Sequence, residues 1–270
     1  MSIKVSVIIT VFNERDLIIR AIDSILVQSL KNIELLIIDD GSTDGTPDVI
    51  KSIDDSRIRL IKSERVGRAS SLKLACELAS GEYIANLDAD DFSYPNRLLL
   101  QSQFLDMNND YAWVGCAEER VDSQRDEHIN RLYPTSDADI RKQCVKCIPY
   151  SHSGVMFRRS LIIEGINYDS NQPYLIDFEF FLRVASKYKV ANLPDVLICR
   201  YVRSESYFQS RFKRSKQNRR LSLLTSKAIF SLKLPLFYLV YPLSRLIYDL
   251  FPERLKKTIR TLNGLYEKSI

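Results

Sequence analysis

The stretch Gly81-Glu82-Tyr83-Ile84-Ala85-Asn86-Leu87-Asp88-Ala89-Asp90-Asp91 governs how the rest of the chain is read. An apolar run, Tyr83-Ile84-Ala85, ends in Asn86 and Leu87 and then three carboxylates. Carboxylates this close repel one another and stay ionised cheaply only when a cation joins them, and hard oxygen ligands suit Mg²⁺ or Mn²⁺. Such an ion in turn takes phosphate oxygens. An isolated D-x-D is equally compatible with a solvated acidic loop, so the surroundings decide its meaning.

Upstream, Val5-Ser6-Val7-Ile8-Ile9-Thr10-Val11 has the β-branched composition of a buried strand, and Leu17, Ile18, Ala21, Ile22, Ile25 and Leu26 then recur at helical spacing. Asn13 with Asp16 three residues later predicts the helix start. A second apolar strand, Ile33 to Ile38, ends in Asp39-Asp40-Gly41-Ser42. This is a βαβ unit, so a parallel sheet with ligand residues at the strands' carboxyl ends is expected. Thr46-Pro47 predicts a capped helix through Ile53, Arg57 to Ile61 a third strand, and Arg68 to Ser80 a helix stopped by Gly81. Asp39 and Asp40 should therefore share one rim with Asp88, Asp90 and Asp91.

Downstream, Pro95 to Asp106 predicts a helix and Tyr111 to Cys116 a strand, whereas residues 118 to 147 are polar and carry no clear period. Pro149 to Arg159 reads as a loop entering a strand, and Leu175 to Arg183 as the opening of a helix. The chain's 270 residues, 45% hydrophobic and 27% charged, suffice for one large α/β domain with a C-terminal extension. Five cysteines without secretory spacing point to a reducing cytoplasmic compartment. Cys144-x-x-Cys147 near His152 lacks the second pair a zinc site needs, and ordinary buried thiols account for it better.

Val5 to Glu14, Ile38 to Thr46, Gly81 to Ile84, Leu87 to Asp91 and Pro95-x-Arg97-Leu98-x-x-Gln101 together resemble the family 2 glycosyltransferases of the bacterial polysaccharide type. The resemblance covers about residues 3 to 205. It implies a GT-A fold, an α/β architecture with a mostly parallel central sheet flanked by helices, and residues 1–205 as the transferase domain. It also implies transfer of a sugar from a nucleotide diphosphate donor to an acceptor hydroxyl with inversion at the anomeric carbon. By the same resemblance Asp90 is the metal ligand, Asp88 faces ribose or a metal-bound water, and Asp39 accepts from the base and the ribose. Thr10, Phe12 and Glu14 form the wall beneath the nucleotide, with Arg68 and Arg65 as candidate nucleotide contacts. The acidic pair that supplies the family's base is matched only in its second member, Asp177, since Ile176 stands where Glu is usual; Glu179 is the rival. A helix N-terminal carboxylate that merely complements the dipole is the structural alternative for Asp177. Lys73 replaces a usual Asn, and no His follows Arg203.

Other functions fit less well. A sugar-phosphate nucleotidyltransferase needs a glycine-rich phosphate loop after the first strand, but the first glycine is Gly41. A non-catalytic relative should have lost Asp90 or Asp177. Charge is divided along the chain: residues 196–270 hold 16 Lys and Arg against 4 Asp and Glu, a net +12, while the first 195 residues hold 23 against 30, a net −7. The basic and aromatic run that includes Tyr201, Arg203, Tyr207, Phe208, Arg211 and Phe212 suits phosphate, but the acidic body argues against a nucleic-acid partner. Residues 206–270 are expected to form a basic amphipathic helical extension. Ile229 to Phe251, interrupted by Lys233, Pro235, Pro242, Arg245 and Asp249, is unsuited to crossing a bilayer and fits lying in its interface. Pro252 should open a further helix with Leu255, Ile259 and Leu262 on one side. The expected setting is the inner face of the cell membrane with a glycan or lipid-linked acceptor; packing on the catalytic domain or an oligomer contact is the alternative use of the same segment.

Overall fold

Two runs of seven residues, Val5–Val11 (β1) and Ile33–Asp39 (β2), pair in parallel from Val5 against Ile33 to Val11 against Asp39. Every residue of β2 is buried, as expected for a strand covered on both faces. A computed structural model of the protein describes residues 3–122, 124–202, 214–252, 254–256 and 258. The chain forms two compact units, Met1–Ser204 and Glu205–Ile270.

In the first unit, helix Ile18–Leu26 (α1) lays Ile18, Ala21, Ile22 and Ile25 onto the core that β1 and β2 build. Each large apolar side chain so buried contributes about 1.5–3 kcal/mol. Asn13 does not cap this helix. Its φ is 53°, and its Oδ1 accepts the Thr43 N–H at 2.8 Å, while Glu14 O receives the N–H groups of Leu17 and Ile18. Thr46 likewise caps nothing of its own helix, Thr46–Lys51 (α2): its hydroxyl accepts the Glu14 N–H at 3.1 Å and donates to Asp44 at 2.5 Å. Both polar side chains are used to join the loops after β1 and β2.

Strand Ile58–Lys62 (β3) adds in parallel to β2, helix Arg68–Leu78 (α3) crosses back, and Tyr83–Asn86 (β4) pairs in parallel with β1 on its other side. The short strand Phe92–Ser93 (β5) and helix Arg97–Met107 (α4) follow. Tyr111 begins a strand that continues to Asp122 (β6) and turns into Glu127–Arg131 (β7), so part of the featureless 118–147 stretch is a hairpin, with helix Asp137–Gln143 (α5) after it. A 3₁₀ turn, His152–Gly154, leads into Met156–Arg158 (β8), helix Ser160–Ile163 (α6), helix Ile176–Ala185 (α7) and the long strand Lys189–Tyr201 (β9). The sheet is mixed, with order β3-β2-β1-β4-β8-β6-β9-β5 and β7 paired to β6. Strand β8 is antiparallel to both β4 and β6, and it joins the parallel half to the rest. Between the Cys116–Leu193 and Ala117–Val196 pairs, Pro194 and Asp195 are left over in a bulge, where a proline costs no ladder hydrogen bond.

Gly81 serves a different purpose from the helix stop expected of it. α3 ends at Leu78 with an extended Ala79, and Gly81 lies where β1 comes closest: a Cβ there would stand 2.5 Å from the Ser6 backbone nitrogen. The same spot holds a buried network, in which Ser6 Oγ accepts the Gly81 N–H and donates to Glu34, which also receives Ser80 N and Oγ. Gly81→Ala should therefore lower stability by about 1–3 kcal/mol through overpacking. Urea unfolding checks this, and an unchanged midpoint would contradict it.

In the second unit, helix Arg214–Ser231 (α8) packs with helix Val240–Leu250 (α9), which a 3₁₀ turn, Leu236–Leu239, precedes. Among the described residues no helix is long and apolar enough to cross a membrane. Arg203, Tyr207, Phe208, Arg211, Phe212, Ile259 and Leu262 lie outside the described residues.

Candidate active site

The carboxyl ends of β2, β1 and β4 lie side by side, which sets the Asp39 end about 10 Å from the Asp88 end, two strand spacings away. At the β2 end the adjacent aspartates differ in use. Asp40 accepts the N–H groups of Val66 and Gly67 and so fixes the loop that follows β3. Asp39 is buried and receives the Ser42 N–H at 3.2 Å. Beside them Thr10 and Phe12 are half-buried at the end of β1, and the Arg65 guanidinium lies 3.2 Å from the centroid of the Phe12 ring. Such a stacked cation and ring form a flat surface. Glu14 is held at the same end by the bond of its N–H to Thr46.

At the β4 end, Asp88 accepts from Arg68 at 2.7 Å and from Asn86 Nδ2 at 3.2 Å, and His152 Nδ1 lies 3.6 Å away. Burial alone would raise its pKa, but the charge of Arg68 and the bond from His152 outweigh it and hold the carboxyl well below the usual range. Asp91 goes the other way. Burial, with Asp88 and Asp90 beside it, pushes it up to about 8, so it keeps its proton at neutral pH. Asp90 is half-buried, and its backbone oxygen accepts from Arg20 at 2.5 Å.

The motif Pro95-x-Arg97-Leu98-x-x-Gln101 has a physical reason here. The wholly buried Arg97 donates to Asn86 O at 2.7 Å and Val155 O at 3.1 Å, and Gln101 donates to Gly154 O at 2.8 Å. These two side chains bind the end of β4 to the turn that carries His152. Burial lowers the Arg97 guanidinium to about 10, still above neutrality.

Asp177 lies in the first turn of α7, behind Leu175, whose φ of 55° is left-handed. Its charge acts on Arg68, Tyr150 and Tyr168, so it belongs to the same surroundings as Asp88. Glu179, two residues further in the same turn, is gripped by Arg183 through two bonds of 2.8 and 2.9 Å. Thus Asp88, Asp90, Asp177, Arg68 and His152 gather in one place, with Thr10, Phe12, Glu14 and Asp39 along the neighbouring strand ends. Sequence reading gave no role to Arg20, Asn86 or Tyr168. Arg20 carried one usable signal, a charge beside the apolar face of α1.

Among the described residues no group of three or more His, Cys, Asp or Glu is disposed to hold a metal with protein ligands alone. One or two carboxylates completed by substrate phosphate oxygens is, however, a usual arrangement for Mg²⁺, and Asp88 and Asp90 fit that donor set.

Known proteins share this fold. Of solved structures, TarS of S. aureus (residues 1–349, in complex with UDP-GlcNAc) is similar with a TM-score of 0.72 at 18% identity, covering 90% of this chain and 72% of that one. The mannosyltransferase PcManGT of Pyrobaculum calidifontis, in complex with GDP-Man and Mn²⁺, gives 0.65 at 20% identity over 97% and 80%. In sequence, the putative glycosyltransferase EpsE of Bacillus subtilis is 32% identical over 256 residues, 92% of this chain and 90% of its own length. The UDP-Glc:alpha-D-GlcNAc-diphosphoundecaprenol beta-1,3-glucosyltransferase WfaP of Escherichia coli is 43% identical over 103 residues, 38% of this chain and 41% of that one. Uncharacterized glycosyltransferases of Rickettsia felis and Rickettsia conorii also match, and the chain spans 32% of their length. A profile described as glycosyl transferase family 2 matches residues 6–165, which with these relatives makes the chain a member of glycosyl transferase family 2, built on a GT-A fold.

Proposed function

We propose that the protein moves a sugar from a nucleoside diphosphate donor onto the hydroxyl of a glycan or lipid-linked acceptor, with inversion at the anomeric carbon. The observation that carries this reading is that Asp88, at the end of β4, and Asp177, in the first turn of α7, act on the same guanidinium, Arg68. The arrangement therefore offers a carboxylate to each reactant. Asp39 accepts from the base and ribose, and Phe12 beneath Arg65 gives the base its surface. Asp88 and Asp90 face the diphosphate. Held there, Mg²⁺ or Mn²⁺ would neutralise the charge that grows on the departing nucleoside diphosphate. Asp177 accepts the acceptor's hydroxyl proton while that oxygen bonds to the anomeric carbon and the bond to the diphosphate oxygen breaks on the opposite face. The donors bound by TarS and PcManGT, and the Mn²⁺ of the latter, support the donor class and the cation. Melting of the protein with a panel of nucleotide sugars and Mn²⁺ tests it: a donor at 100 times its Kd stabilises by about 2.7 kcal/mol. A panel in which none raises Tm and none is hydrolysed would remove the reading.

The second unit supports attachment to the anionic inner face of the cell membrane. Helix α9 turns polar groups toward α8, where Arg245 donates to Thr225 at 3.2 Å and Asn218 donates to Asp249 at 2.7 Å. Its apolar residues point out: Val240, Leu243, Ile247 and Leu250 are 58, 54, 55 and 81% exposed, and Leu236 and Phe237 extend the stripe. Each such side chain entering lipid contributes about 1.5–3 kcal/mol, and each basic residue near anionic headgroups about 1 kcal/mol. The net +12 of residues 196–270 matches that surface in sign. A lipid diphosphate acceptor like the one WfaP's name specifies would lie in the same plane. The protein should float with phosphatidylglycerol vesicles, and Leu243→Glu combined with Ile247→Glu should abolish flotation without loss of helix content. Equal flotation of that double variant would place the contact elsewhere; a protein that never floats at low salt would exclude the membrane.

A further inference from the structure

Arg68 is the first residue of α3, set by Gly67, whose N–H is fixed to Asp40. Its NH2 group donates to Asp88 Oδ1 at 2.7 Å, yet half of the side chain, 50%, remains exposed. The second neighbour is His152. Its Nδ1 lies 3.3 Å from Arg68 and 3.2 Å from Asn86 Nδ2, and its Nε2 stands 3.0 Å from the Tyr168 hydroxyl. The imidazole thus braces Arg68 beside Asp88, which lies 3.6 Å from the same Nδ1. Around the guanidinium, Asp88 first, then Asp177 and Asp90, stabilise the positive charge. One cationic side chain therefore feels the charge of three carboxylates and is held to one of them, Asp88, by an ion pair open enough to water to exchange.

We infer that Arg68 is a displaceable counter-ion: it neutralises Asp88 while no donor is bound, and it releases that carboxylate for the divalent cation as it turns to the donor's phosphate oxygens. Guanidinium suits both positions, since its planar fork pairs with carboxylate and phosphate alike. The inference rests on the reading that this rim takes a divalent cation and a nucleoside diphosphate. It assigns Arg68 opposite effects on the two ligands, which a merely structural residue would not have. With Arg68 removed, the cation meets an unneutralised Asp88, whereas the diphosphate loses a charged donor.

Binding measured on the full-length protein decides it. Mn²⁺ alone is titrated with the free ion followed by electron paramagnetic resonance, and UDP and GDP are titrated calorimetrically at saturating Mn²⁺. For Arg68→Met and Arg68→Gln, read together with melting temperatures so that a folding defect in one does not hide the sign, Mn²⁺ affinity should rise about three- to tenfold. Affinity for the tighter of UDP and GDP should fall about tenfold or more. Arg68→Lys, which keeps the charge, should stay near the unaltered protein on Mn²⁺. Folded Met and Gln variants with unchanged or weaker Mn²⁺ binding, or with unchanged nucleotide binding, overturn the counter-ion role. An unaltered protein that binds neither Mn²⁺ nor either nucleotide sinks both this role and the proposed function, so the two failures are told apart.

Discussion

Asp177→Asn is expected to leave nucleoside diphosphate affinity nearly unchanged while turnover falls about 10²- to 10⁴-fold. Position separates it from its neighbour. Leu175 takes a left-handed φ of 55°, costly for a residue with a branched side chain, and the chain enters α7 directly after it. That entry sets Asp177 in the first turn, where its charge reaches Arg68 and the buried Tyr150 and Tyr168. Glu179 shares the same turn, but Arg183 holds both its oxygens and also donates to Asn167 O at 2.5 Å. A carboxylate so engaged accepts a substrate proton only after breaking a bidentate pair. Glu179→Gln should accordingly loosen the Arg183 contact and change turnover by less than about tenfold, far below the loss a missing general base brings. Steady-state kinetics of the two variants side by side check this. If Glu179→Gln cripples turnover and Asp177→Asn stays near the unaltered rate, the roles are exchanged.

The parallel half of the sheet was legible because β1, β2 and β4 are almost wholly buried and read as short, mostly apolar runs. The hairpin of β6 and β7 was not. All but the last residue of β7 is exposed, so no burial imposes an alternation on it, and its partner strand changes character midway. At the site, the acidic cluster announced itself through local density of like charge. The partners that define its use did not, since Arg20 meets Asp90 across 70 residues and His152 meets Asp88 across 64. Helix α9 shows the same limit in another form. Its period marks an apolar stripe, but only the bonds of Arg245 and Asp249 to α8 reveal that the stripe faces outward.

Asp90→Asn should lower transfer at least about 10²-fold and leave the fold as stable as before, or slightly more so. Neutral Asp91, pushed up to about 8 by its burial and by Asp88 and Asp90, contributes little charge at pH 7. Asp88 is balanced by Arg68. Asp90 is then the third carboxylate of the β4 end, beside one that keeps its proton and one paired with Arg68. The loop is also held by contacts of its backbone: Arg20, stacked 3.5 Å from the Tyr201 ring centroid, holds the Asp90 backbone oxygen at 2.5 Å, and the Asp91 N–H closes a turn on Asp88 O at 3.1 Å. Removing Asp90's charge also relieves repulsion, because it is one of the two charges that keep Asp91 protonated, so the Asp91 pKa should move down toward the ordinary carboxylate range. Three measurements check these consequences together: transfer with Mn²⁺ in each protein, transfer after EDTA with Mn²⁺ restored, and Tm between pH 5 and 8. Full transfer in excess EDTA would show that no cation is needed, and an Asp90→Asn protein with unimpaired turnover would show that Asp90 does not hold one. A Tm lowered by several degrees would instead mean that the carboxylate supports the loop.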